Sequence, residues 1–275
     1  MRPKSVFLVE LSNLDVEEFL MNGGDMVIIP VGALEQHGAH APLSTDVLIP
    51  QEIARRVALS RNAVVAPPVN YGLSAAHKGF PGAAYISVNT FLGVVADLCR
   101  SFADAGFRKI VFINGHYTNT GPLTMACYDV SKELPEDTQA YQITYWEALP
   151  PEELEEYLSL KAGLHANIGE TSAVMAINPS LVDLEKAQDY WPDFPDFEAS
   201  PNPALTAYFE TQVSANLQAL PHGTWGEPSK SSVEKGEEFL QQIEKAVLRL
   251  IREVELMHSK LGTPPKHVTV IRSKK

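Results

Sequence analysis

Val27-Ile28-Ile29-Pro30-Val31-Gly32-Ala33-Leu34-Glu35-Gln36-His37-Gly38-Ala39-His40 is the stretch on which the reading of this 275-residue chain turns. Its first five residues form an apolar, largely β-branched run too short for a helix, which reads as a buried strand. Runs of the same kind recur at 63–66, 109–113 and 141–145. Between them, 47–59 and 88–102 carry apolar residues at three- and four-residue steps, the second through Val88, Phe91, Leu92, Val95, Leu98 and Phe102. That is the period of an amphipathic helix. Strands alternating with helices specify an α/β fold with a mostly parallel central sheet. Farther on, 169–177 reads as helix and 190–203 as a long loop. The last helix places Leu240, Ile243, Val247, Leu250, Val254 and Met257 on one stripe. No repeat and no break in composition marks a linker, so one domain is expected over residues 1–275.

With 45% hydrophobic and 20% charged residues, the composition is that of a soluble globular protein. A net charge of −12, with no basic run outside the terminal Arg272-Ser273-Lys274-Lys275, argues against nucleic acid as a partner. No apolar run approaches the length of a membrane span, and the first twenty residues lack the uninterrupted apolar core of a signal peptide. Cys99 and Cys127 are the only cysteines. They read as core residues of a protein from a reducing compartment, so a cytoplasmic location is expected.

In open α/β sheets, ligands bind beyond the carboxyl ends of the strands. The end of the first strand offers Glu35, His37 and His40, and Asp46 follows at the start of the next helix. The end of the third offers Asn114-Gly115-His116. Gly32, Gly38 and Gly115 are expected to permit tight turns there. No Lys or Arg lies between Pro30 and Arg55 to offset Glu35 and Asp46. A divalent cation would do so, and imidazole with carboxylate but no thiolate suits an open catalytic site. The competing reading makes these residues loop polars, with Asp46 as a helix N-cap. His165 and Glu170 are five residues apart, about 140° around a helix, and converge only if His165 precedes the helix. The sequence patterns of a nucleophile elbow, a dinucleotide fingerprint, a P-loop and a zincin helix are all absent.

At these residues the chain resembles the creatininase (creatinine amidohydrolase) family. Five motifs occur in order: VGALEQHGAHAPLSTD ending at Asp46, YGLSAAHKGFPG from Tyr71, INGHYTNT from Ile113, HANIGETS from His165 and GTWGEPSKSSVEKG from Gly223. The resemblance implies a three-layer α/β/α sandwich with a centre of two divalent metals, zinc and/or manganese, with iron as a further option. The implied reaction is hydrolysis of a C–N bond in a cyclic amide or related small molecule, with hydroxide held on the metals as nucleophile. Glu35, His37, Asp46 and His116 fall on the family's metal ligands, Asp46 on the bridging carboxylate. His165 falls on the proton-transfer histidine, and Ser74 and Tyr117 on substrate-contacting positions. His77 joins them as a candidate substrate contact, and His40 as a candidate supporting residue.

Two departures from the family pattern shape the expectation. Thr118 stands where creatininase has a glutamate that binds the second metal. Glu170 is the expected replacement, and so counts as both a metal ligand and a catalytic residue. Two divalent ions would then be balanced by three carboxylates and one hydroxide, which spares a buried site uncompensated charge. Lys161 and Ala162 stand in the region of a family Trp-Asp pair, which points away from creatinine itself. Two rival readings are a hydrolase of formamides, such as formylamino-pyrimidine nucleotides, and a catalytically degenerate metal-binding member. The resemblance also implies a homo-oligomer, often a hexamer.

Overall fold

The computed structural model describes residues 3–193, 207–208, 211 and 220–261. Most of the long loop expected at 190–203 lies outside the described residues. Four short strands form one parallel sheet: β1 (Met26–Val31), β2 (Ala63–Val65), β3 (Lys109–Asn114) and β4 (Gln139–Thr144), in the order β2-β1-β3-β4. All four fall within a residue or two of their expected positions. Every residue of β1 is buried, as a central strand covered on both faces requires.

Successive side chains of a strand point to opposite faces, and here the two faces collect different helices. Met26, Ile28, Val65, Val111, Ile113 and Ile143 pack with α2 (Thr45–Ser60), α6 (Ile168–Ile177) and α7 (Val233–Leu261). Val27, Ile29, Val31, Val64, Ile110 and Phe112 pack with α1 (Asn13–Met21), α3 (Val88–Asp104) and α4 (Thr120–Val130). A short α5 (Pro151–Tyr157) follows β4. The result is the expected three-layer α/β/α sandwich. Cys99 and Cys127 are free thiols in the second core. The stripe of α7 buries Leu240, Ile243 and Val247, while Met257 is 62% exposed. The buried positions also include Phe239, Ala246 and Ile251, the drift of a 3.6-residue period over a single sheet rather than a heptad seam.

From β1 the chain runs through α2 on one face to β2, and then crosses back through α3 on the other face to β3. The connections thus diverge between β1 and β3, the place where such sheets open a crevice. The register pairs Val31 with Asn114, so the loops after both strands leave the sheet side by side. Of the three glycines expected to turn the chain, only Gly38 has a positive φ, 68°. Gly32 and Gly115 serve another purpose, because a Cβ on either would collide with the backbone carbonyl of Asp46. Pro50, inside α2, lacks the N–H that would bond that carbonyl. The freed carbonyl therefore sits against the two strand ends and fixes where Asp46 enters the site. Gly115→Ala is expected to cost about 1–3 kcal/mol by overpacking and to weaken metal binding, as read by urea unfolding and metal titration.

Candidate active site

The residues after β1 and β3 and at the starts of α2 and α6 meet in one buried cluster. Asp46, in the first turn of α2, lies with Oδ1 3.0 Å from His37 Nε2 and Oδ2 3.0 Å from His116 Nδ1. Its expected alternative role as an N-cap is not what the fold uses, since Ser44 holds that position. Glu35 Oε2 is 3.2 Å from His116 Nδ1, and Glu35 Oε1 is 3.3 Å from His77 Nε2. Glu170 Oε1 lies 4.0 Å from His37 Nε2. Among the described residues, the ion pairs of these three carboxylates are all with histidines.

His165 precedes α6, so it and Glu170 do converge. The turn between them is sharp: Ala166 has φ 49°, the one positive value at a non-glycine residue among those described. Such a conformation is held only where surrounding contacts enforce it. Here Ala166 N–H donates to Glu170 Oε2 at 2.7 Å, and Asn167 caps α6 by accepting from Glu170 N–H at 2.9 Å. His165 Nδ1 comes to 3.9 Å from Glu35 Oε1. His40 reaches the rim of the cluster through Thr171 Oγ1, 3.0 Å away. Thr118 is exposed in the turn after β3 and offers the cluster nothing. Ser74 is fully buried with its hydroxyl 3.4 Å from the Ala84 carbonyl, and Tyr117 is 54% exposed.

Burial, followed by the charges of Asp46 and Glu170, pushes the Glu35 carboxyl far above its ordinary range. Burial likewise raises Glu170, to about 7. Burial opposes ionisation of Asp46 as well, but His37 and His116 outweigh it and hold this carboxylate below its usual range. Burial and the neighbouring His37 and His77 keep His165 neutral, well below the ordinary imidazole range. Burial lowers His77 to about 3 and His40 to about 4.

The donor set fits divalent metal ions. His116 Nε2 is buried without a hydrogen-bond partner, and Glu35 Oε2 and His37 Nε2 are buried with ionic neighbours but no well-aligned hydrogen bond, which is costly unless a cation takes their lone pairs. His37 Nδ1 faces the Glu35 backbone carbonyl at 3.5 Å, the placement that leaves Nε2 free to bind a metal. Glu35, Asp46 and His116 form one convergent triad of donor atoms, His37, His165 and Glu170 a second, and Glu35, His77 and His165 a third. Without cations the raised carboxyls carry a stability signature. Between about pH 4.5 and 7 the folded chain keeps the Glu170 proton that the unfolded chain has lost. Metal-free protein should therefore lose stability as pH rises through that window, by on the order of a few kcal/mol, with Glu35 acting in the same direction. Urea midpoints at both ends of the window, with and without chelator, check this; metal-loaded protein should not show the decline.

An α/β/α sandwich with three overlapping, buried carboxylate-imidazole triads at its topological switch point defines a metal-dependent hydrolase. The model of the family described as creatinine amidohydrolase matches residues 9–251, and the chain belongs to that creatininase family. Creatinine amidohydrolase of Pseudomonas putida is 32% identical over 266 residues, spanning 91% of this chain and 97% of the relative. A mycofactocin precursor peptide peptidase of Mycolicibacterium smegmatis is 43% identical over 107 residues, 37% of this chain and 43% of that protein. A solved structure described as "Creatininase Mn" superposes with a TM-score of 0.75 at 29% identity, covering 95% of this chain and all of that one. The centre belongs to a two-metal hydrolase of the creatininase class.

Sequence reasoning found every carboxylate of the cluster but missed Gln36. Its amide lies 3.1 Å from His77 Nδ1 and 3.0 Å from His165 Nε2. The signal was present: Gln36 lies between Glu35 and His37 in the same loop, and is buried.

Proposed function

We propose that this chain hydrolyses a C–N bond of a small cyclic amide other than creatinine. The observation that carries the proposal is the set of overlapping buried donor triads, with Glu35, His37 and His116 atoms left without a hydrogen bond. Glu35, Asp46 and His116 would hold one divalent ion, and His37 and Glu170, with Asp46 beside them, the other. Glu170 supplies the carboxylate that Thr118 cannot. Bound there, such ions polarise a carbonyl oxygen and bring the pKa of water to about 7. His165, neutral and beside Glu35, accepts the proton of the attacking water and delivers it to the leaving nitrogen. Ser74, Tyr117 and His77 line the substrate side, Tyr117 from its exposed position directly after His116.

Lys161, exposed and facing Glu155 at 3.6 Å, and Ala162 stand where the family pattern has a Trp-Asp pair, which supports a substrate other than creatinine. The likeness of part of the chain to a peptide peptidase favours one second reading, cleavage of a peptide amide. The scarcity of cysteine, with Cys99 and Cys127 both buried in the core, supports a cytoplasmic location, and the exposed Met125 and Tyr128 on α4 give apolar surface for a homo-oligomer. No described helix is long and apolar enough to cross a membrane.

The test is a panel of lactams, cyclic ureas, formamides and short peptides, offered to zinc-, manganese- and iron-loaded protein, with release of amine, acid or formate followed. Turnover of a ring amide supports the proposal. Cleavage confined to peptides supports the second reading, and inertness towards the whole panel counts against both.

A further inference from the structure

Gln36 occupies a place that no metal-ligand role explains. Gly38 N–H donates to its Oε1 at 2.8 Å, which fixes the amide orientation and turns the NH2 group towards His77 and His165. Gly223, at φ 71°, passes so close that a Cβ there would overlap this amide. The side chain is thereby clamped. An amide NH2 only donates, and a backbone carbonyl only accepts. His165 Nε2 is 2.8 Å from the backbone carbonyl of Gln36, an acceptor, and 3.0 Å from its amide nitrogen, a donor. His165 Nδ1 lies 3.9 Å from Glu35 Oε1.

The amide hydrogen of Gln36 goes to His77 Nδ1, 3.1 Å away. His77 must then carry its own hydrogen on Nε2, which faces Glu35 Oε1 at 3.3 Å. One carboxylate oxygen of Glu35 is held by this relay. The other, Oε2, is left 3.2 Å from His116 Nδ1 and without a hydrogen-bond partner.

We propose that Gln36 is a positioning residue for the centre, which sets the tautomer of His77. Through its amide and His77 it turns Glu35 Oε2 towards Asp46 and His116. The proposal rests on the assignment of Glu35 as a metal ligand. Partners of this kind typically set metal affinity by about 10–100-fold.

Two measurements test it. In protein labelled with 15N-histidine and kept free of metal at mildly alkaline pH, the imidazole resonances should show hydrogen on Nε2 of His77. Hydrogen on Nδ1 of that ring overturns the proposal. In Gln36→Glu, where an acceptor replaces the donor, the His77 hydrogen should move to Nδ1. Zinc titration against a competing chelator should show affinity about 10–100-fold weaker in Gln36→Met and in His77→Phe. The double variant should be no weaker than the worse single one, because both break one relay. Unchanged affinity, or losses that add, overturns it. If Gln36→Met does not fold, His77→Phe and the His77 tautomer of the unaltered protein still decide. An unaltered protein that binds no zinc contradicts the ligand assignment instead, so the two failures are distinguishable.

Discussion

Asp46→Ala should abolish both metal binding and turnover. Asp46 is the carboxylate that touches His37 and His116 together, at 3.0 Å from each, and so joins the donor triads to which those two rings belong. Its ionised form is held by those rings against the penalty of burial, whereas Glu35 and Glu170 are both pushed towards protonation. Asp46 is therefore the carboxylate best prepared to receive the first cation, after which the others can ionise. Removing it takes an oxygen from both sides of the centre. The expected loss is at least about 10⁴-fold in kcat, roughly 5.5 kcal/mol of barrier, with metal content falling below one equivalent per chain. The apoprotein should still fold, because the substitution deletes one of three crowded carboxylates, and circular dichroism checks this. Full activity with two metals retained would sink the assignment.

The second large effect belongs to His165. His165→Gln should lower kcat by about 10²- to 10⁴-fold, the usual contribution of a positioned proton carrier, while both metals stay bound. Metal retention is the informative half of this experiment, because His165 also lies within one donor triad with His37 and Glu170. Loss of a metal along with activity would make His165 a ligand and leave the proton transfer to another group. Retention with a slow reaction places it where the geometry does, beside Glu35 and neutral at physiological pH. The strained Ala166 holds this arrangement, so Ala166→Gly, which accepts φ 49° without strain, should leave both readouts nearly unchanged.

The strands and the two helices that flank β2 were legible because each is a short apolar run or a clean helical period. Glu35, His37, Asp46 and His116 were legible for a related reason, since strand ends are where an α/β sheet collects its chemistry. The convergence of His165 with Glu170 was not readable from spacing. It depends on the backbone turn at Ala166, a conformation that alanine does not advertise. The roles of Gly32 and Gly115 were misread as turns, because close approach to the Asp46 carbonyl depends on Pro50 in a different element. Gln36 was missed since a glutamine between two stronger metal donors draws no attention until its distances to His77 and His165 are known.

The most direct test of the central claim is metal counting. Elemental analysis of the purified, dialysed protein, repeated after reconstitution with zinc or manganese, should give two divalent ions per chain, and one in Glu170→Gln. One ion or none in the unaltered protein would contradict the account, as would two ions that survive the loss of Asp46.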